Sequence, residues 1–180
     1  MGAQLWYHVG PWRDEPGVSL REVQVAHLRS AFDYPARLAE HLASAREAVR
    51  LTEADDPYNL LDHYRAEVAR FEELAAFPPP ATPDDEIARL RMLYKASGEG
   101  IGCVLDVTHV NDGGGVHVAR RLPVAEVARL CGADRPTAVA AGLAVGRINA
   151  ELGRGYSVCF PFYDESGRPS GWCFVGNTID

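Results

Sequence analysis

The chain has 180 residues, 47% of them hydrophobic, and a formal net charge of −7 at pH 7. That length and apolar share suit one domain with a buried core, or one domain with an appendage. The acidic balance argues against nonspecific binding to nucleic acid or to an anionic membrane, and would suit a basic protein partner.

Leu5-Trp6-Tyr7-His8-Val9 reads as a short strand that Gly10-Pro11 ends. The preceding residues lack the basic-then-apolar pattern of a secretory signal, and no later stretch reaches the ~20 apolar residues of a membrane span, so the expected setting is cytoplasmic. Ser19-Leu-Arg-Glu22 has the form of a capping box and predicts a helix to about Phe32. Asp33-Tyr-Pro35 starts a second helix, with Leu38, Leu42, Ala45 and Val49 as its buried stripe. Asp56-Pro57 starts a third, and the short break between these two predicts an antiparallel helical hairpin over residues 35–76. His27, His41 and His63 fall one on each helix and read as boundary residues. Phe77-Pro-Pro-Pro80-Ala-Thr-Pro83 is a stiff connector. It divides an N-terminal strand-and-helix region, 1–77, from an α+β region, 85–180, with 78–84 between them and the whole forming one compact unit.

A fourth helix is expected from Asp85 to Ala96, stopped by Gly98. Strands follow at 101–110 and 116–121, then helices at 123–130 and 137–152. The chain closes on a β-hairpin. Asp164-Glu-Ser-Gly167 suits a type I turn with glycine in the left-handed position, which pairs Asp164 with Arg168. Counting outward without interruption sets Phe160 against Trp172 and Cys159 against Cys173. Val158, Phe160, Phe162, Trp172 and Phe174 then share the buried face. The two cysteines face each other within disulfide reach, as a redox pair or as two reduced thiols. With Cys103 and Cys131 they match neither a zinc signature nor a secreted disulfide framework. Pro161 and Pro169 spoil the outer strand edges, so the tip, with Asp164, Glu165 and Arg168, is expected to project unpaired. Trp6-x-x-Val-Gly10 and Trp172-x-x-Val-Gly176 share one form, which suggests that both termini are strands of one sheet.

The resulting fold class is α+β: a small, mostly antiparallel sheet with packed C-terminal helices and an N-terminal helical hairpin. Three sites compete. In Asp106-Val-Thr-His109-Val-Asn-Asp112-Gly-Gly-Gly-Val-His117, a hairpin loop at 111–115 would set His109 opposite His117, and Asp112 could complete a metal site. Residues 127–143 resemble the helix-turn-helix of bacterial repressors, and the element order suits a winged helix. That likeness implies contacts from Arg135, Thr137 and Arg147, but alanines and Val139 stand where base-reading side chains belong. The third site is the hairpin tip, as a protein-binding finger. No nucleotide loop, nucleophile elbow or other cofactor signature occurs. The expected function is therefore a non-catalytic partner- or ligand-binding protein, with a DNA-binding regulator and a metal-dependent enzyme as alternatives.

Overall fold

The computed structural model describes residues 5–98 and 100–177. Its chain divides into two compact units, one of residues 1–27 with 101–180 and the other of residues 28–100. The Pro-rich 78–84 stretch lies inside the second unit, where it links two helices. Among the described residues, no helix is long and apolar enough to cross a membrane.

The first unit is built on a five-stranded sheet in the order β1-β5-β4-β3-β2. Its strands are β1 (Leu5–Pro11), β2 (His109–Asn111), β3 (Val118–Arg121), β4 (Ser157–Tyr163) and β5 (Pro169–Asn177). The α+β class holds, but the sheet is mixed: β1–β5 and β5–β4 are antiparallel, whereas β4–β3 and β3–β2 are parallel. The expected hairpin at 101–121 is the reason for the difference. Residues 104–106 form a 3₁₀ turn. Residues 112–117 then fold back twice, so that His109 pairs with Val118 in parallel. That reversal uses left-handed backbone at Gly114 and His117, a conformation glycine adopts freely and histidine only occasionally.

The termini pair as the Trp-x-x-Val-Gly echo suggests. Trp6 stands opposite Gly176, and Gly10 opposite Trp172. A β-carbon on Gly176 would lie 2.2 Å from the Trp6 ring, so the indole occupies the space that the missing side chain leaves.

The C-terminal hairpin departs from its expected register by one residue. The turn is as read: Gly167 has φ 78, its N–H donates to the Asp164 carbonyl, and Asp164 pairs with Arg168. Tyr163 also faces Pro169, but a bulge follows, and Phe162 faces Gly171. Ser170 is the extra residue. Because side chains alternate with period two, one inserted residue exchanges the faces of everything beyond it on that strand. Phe160 therefore opposes Cys173, and Cys159 opposes Phe174. The two cysteines sit on opposite faces, free and buried, which removes the expected disulfide geometry. Burial pushes both thiols up to about 12.

Each face carries its own core. On one, Phe160, Val158, Cys173 and Val175 pack with helices α5 (Val124–Cys131) and α6 (Ala138–Glu151). On the other, Phe174, Trp172, Trp6 and Cys159 pack with Leu20 and Val23 of helix α1 (Pro16–Ala31) and with Val104 and Val107. Helix α1 begins before the expected capping box, so Ser19 is a buried residue inside it, beside Gly10. The buried Gln24 amide fastens α1 to the 3₁₀ segment, donating to the carbonyls of Val104 (3.0 Å) and Val107 (2.6 Å).

His8 of β1 meets His27 of α1 edge-on at 4.6 Å. Burial, helped by the His27 charge, lowers His8 from its ordinary 6.5 to about 4. Below pH 6.5 the unfolded chain takes up this proton while the folded one resists it. Stability is therefore expected to fall as the pH drops from 6.5 towards 4. Discounted for partial exposure, the loss is on the order of 1 kcal/mol. Urea midpoints at pH 7 and pH 4.5 should show this loss, and His8→Gln should flatten it.

The second unit holds α2 (Tyr34–Ala54), α3 (Leu61–Ala75) and α4 (Pro83–Ala96). Asp33 caps α2 and Thr82 caps α4 in a full capping box. Ion pairs Arg46–Glu72 (2.7 Å) and Arg65–Glu53 (2.9 Å) run along α2 and α3 as antiparallel neighbours. Phe71, Leu74, Ile87, Leu90 and Leu93 form their buried centre.

Candidate functional site

The polar stretch 106–117 is split by the parallel arrangement of β2 and β3. His109 points outward beside Thr108, whose hydroxyl lies 3.0 Å from its Nδ1. Asp112 leans towards Arg121, at 3.6 Å. His117 sits in the returning turn, its carbonyl accepting from the Thr108 backbone and hydroxyl. The expected trio His109, Asp112 and His117 is thus not gathered. Among the described residues, no group of three or more His, Cys, Asp or Glu side chains is placed to hold a metal ion.

The fold instead brings His117 to Asp106, in a small recess with Trp6, Tyr156, Ser157 and Asn177. Asp106 is spent on local structure there, its carboxylate accepting from the backbone of Ile101 (3.1 Å) and Gly102 (2.9 Å). Ser157 is 4% exposed, and its hydroxyl has no partner. The recess is only about 10 Å³, room for a single water and no substrate.

The hairpin strands lie within the sheet, so β4 and β5 are not a free wing. Their tip is also held on one side: the Tyr163 N–H donates to the Pro136 carbonyl at 2.8 Å, and Thr137 bridges Tyr163. This corrects the expectation of a tip unpaired on both edges. The Asp164 carboxylate accepts from the Ser166 hydroxyl and from the backbone N–H groups of Arg168 and Ser166, which holds it below the usual carboxylate range. Glu165 and Arg168 remain exposed.

The three residues of the helix-turn-helix resemblance have separate situations. Arg135 lies over the Tyr163 ring, 5.7 Å from its centroid. Thr137 caps α6 by accepting from Ala140. Arg147 is exposed on α6.

More informative is α6 itself. Ala141, Ala144, Val145 and Ile148 face the sheet, as a packed helix requires. The opposite side is apolar as well: Val139 is 73% and Leu143 77% exposed, one turn apart. Arg147 and Glu151 are the helix's charged residues, and Glu151 is engaged by Arg129 at 2.6 and 2.7 Å. A helix apolar on all sides normally has all sides covered.

The helical unit has a larger cleft, of about 320 Å³, between α2, the end of α3 and the segment after it. Its walls include Leu38, Leu42, Leu74 and Phe77, with Tyr34 and Arg89 as its hydrogen-bonding side chains. No motif in the sequence marks this pair. Arg89 stands beside the buried Ile87–Leu90–Leu93 stripe of α4, the one local sign of its position.

The fold is thus that of an α+β protein with a mixed sheet and a helical unit inserted after its first strand and helix. No family model, curated protein or solved structure matches the chain.

Proposed function

We propose that this is a binding protein rather than a catalyst, and that its sheet unit associates with a second copy of the chain through the outer face of α6. The exposed pair Val139 and Leu143, on a helix whose other side is already core, carries the reading. Two supports name the second copy as occupant. With a net charge of −7, like molecules approach most readily through a tract without carboxylates, and Val139, Leu143, Gly146 and Ala150 form one. An isologous contact also covers the same patch on both copies at once. Gly146 fits this picture. A β-carbon there would meet nothing within 4 Å, so internal packing gives no reason for a helix-interior residue that costs about 1 kcal/mol relative to alanine. A closely approaching neighbour does.

Sedimentation velocity at micromolar concentration should find the protein dimeric. Leu143→Arg should make it monomeric, with the melting temperature no lower than that of a matched dilute wild-type sample. A wild-type chain that stays monomeric up to the highest soluble concentration would overturn the proposal.

A further inference from the structure

We infer that the joined ends of α2 and α3 form a docking surface for a protein that presents arginine or lysine beside an apolar side chain. The surface uses only residues between Leu51 and Arg65, within residues 28–100, so it is independent of self-association through α6.

The connecting turn is firmly held. The Asp56 carboxylate accepts from the backbone N–H groups of Leu60 (2.7 Å) and Leu61 (3.1 Å), which open α3. Asn59 takes the left-handed backbone, at φ 56, that asparagine adopts more readily than most residues. Arg65 of α3 reaches back to Glu53 of α2 at 2.9 Å. Nothing in that arrangement needs a large apolar side chain, yet three stand on it: Tyr58 is 79% exposed, Leu51 55% and Leu60 37%. A single exposed leucine is ordinary. An aromatic ring and two leucines gathered at one end of a helical hairpin mark a contact surface. Because the turn is already fixed, binding there loses little conformational freedom.

Charge selects the occupant. From Leu51 to Asp62 the chain carries the carboxylates of Glu53, Asp55, Asp56 and Asp62, and neither lysine nor arginine. Asp56 and Asp62 stand at the positive end of α3, which favours them. Glu53 and Asp55 stand at the negative end of α2, whose last turn holds no basic residue. Arg65 answers Glu53, but among the described residues no cation answers Asp55. The Asp62 side chain is 99% exposed, with Arg65 only loosely placed on it at 3.9 Å. A cation supplied from outside would meet both aspartates and the carbonyl end of α2. The same charge works against other occupants. A second copy would set two such carboxylate groups against each other, and nucleic acid or anionic lipid would be repelled. A free small cation would leave Tyr58, Leu51 and Leu60 bare. A basic protein surface with an apolar contact satisfies both halves of the site.

The test is selection of a random library of short peptides, displayed on phage, against the intact protein after depletion on its Tyr58→Ala variant. The Tyr58 ring is exposed, so this variant should keep the wild-type circular dichroism and melting temperature; should it not, Leu51→Ser takes its place. Peptides that survive depletion should carry a net positive charge and at least one aromatic or large aliphatic side chain. Synthetic copies should bind the wild type at low salt and more weakly as salt rises. Asp55→Asn combined with Asp62→Asn should weaken them about tenfold. Leu143→Arg should leave their affinity unchanged, which separates this surface from α6. Four results would each overturn the inference: no peptide surviving depletion, survivors that are neutral or acidic, affinity unaltered by the paired aspartate change, or binding lost in Leu143→Arg.

Discussion

Phe174→Ala and Phe160→Ala are each expected to cost about 4 kcal/mol of stability, but only the Phe174 change should alter the protein's tryptophan emission. Both rings are completely buried, so each truncation loses transfer energy and leaves a cavity that the sheet is too constrained to close. They differ in their neighbours. The chain has three tryptophans. Trp6 and Trp172 share the Phe174 cluster, and Trp12 packs against it, stacked on Trp172 at 5.4 Å. Phe160 lies among residues of α5, α6 and the far face of the sheet, a cluster without tryptophan. Urea unfolding measures the first quantity. Emission spectra of Phe174→Leu and Phe160→Leu, milder variants that stay folded, measure the second. Equal spectral changes in both would mean that the two rings share a face, as in an unbulged hairpin.

Gly171→Ala is expected to cost about 3 kcal/mol, at the upper end of overpacking changes, and to lower the melting temperature by roughly 6–12 °C. A β-carbon at Gly171 would stand 2.4 Å from the Gly10 carbonyl oxygen and 2.4 Å from the Phe162 ring. The ring can turn aside, but the carbonyl belongs to the β1–β5 ladder and moves only with the strand. Gly17→Ala is the matched control. It lies in the first turn of α1 with nothing within 4 Å of the added carbon, so it should be neutral or slightly stabilising. Thermal melts of the two variants beside the wild type decide the matter. Equal melting temperatures would show that β1 and β5 are not so closely apposed.

Much of the local structure is legible in the residues because its causes act within a few positions. Asp33 starts its helix as its position suggests, and Gly98 and Gly167 adopt the left-handed backbone that ends a helix and closes a turn, whereas Thr82, read as part of the connector, caps a helix that begins at Pro83 instead of Asp85. Ser19 shows the limit: its spacing to Glu22 suits a capping box, yet α1 starts at Pro16 and carries Ser19 into the core. Of the candidate metal site, only the individual residues were readable. Whether His109 meets His117 depends on strand direction, and 112–117 reverses twice where the glycine run suggests a single turn.

The α+β class, most helices, the turn at Asp164–Gly167 and the pairing of two similar terminal strands can be read from the residues alone. These follow from periodicity, capping and turn chemistry, which neighbours along the chain control. The hairpin faces, the direction of β2 and β3, the apolar outer side of α6 and the meeting of Tyr34 with Arg89 emerge only in the folded chain. A bulge at Ser170 is a single residue whose presence depends on what packs beyond it, on Phe162 against Gly171 and on Gly171 against Gly10. Residues distant in sequence set that packing, so no local pattern announces it.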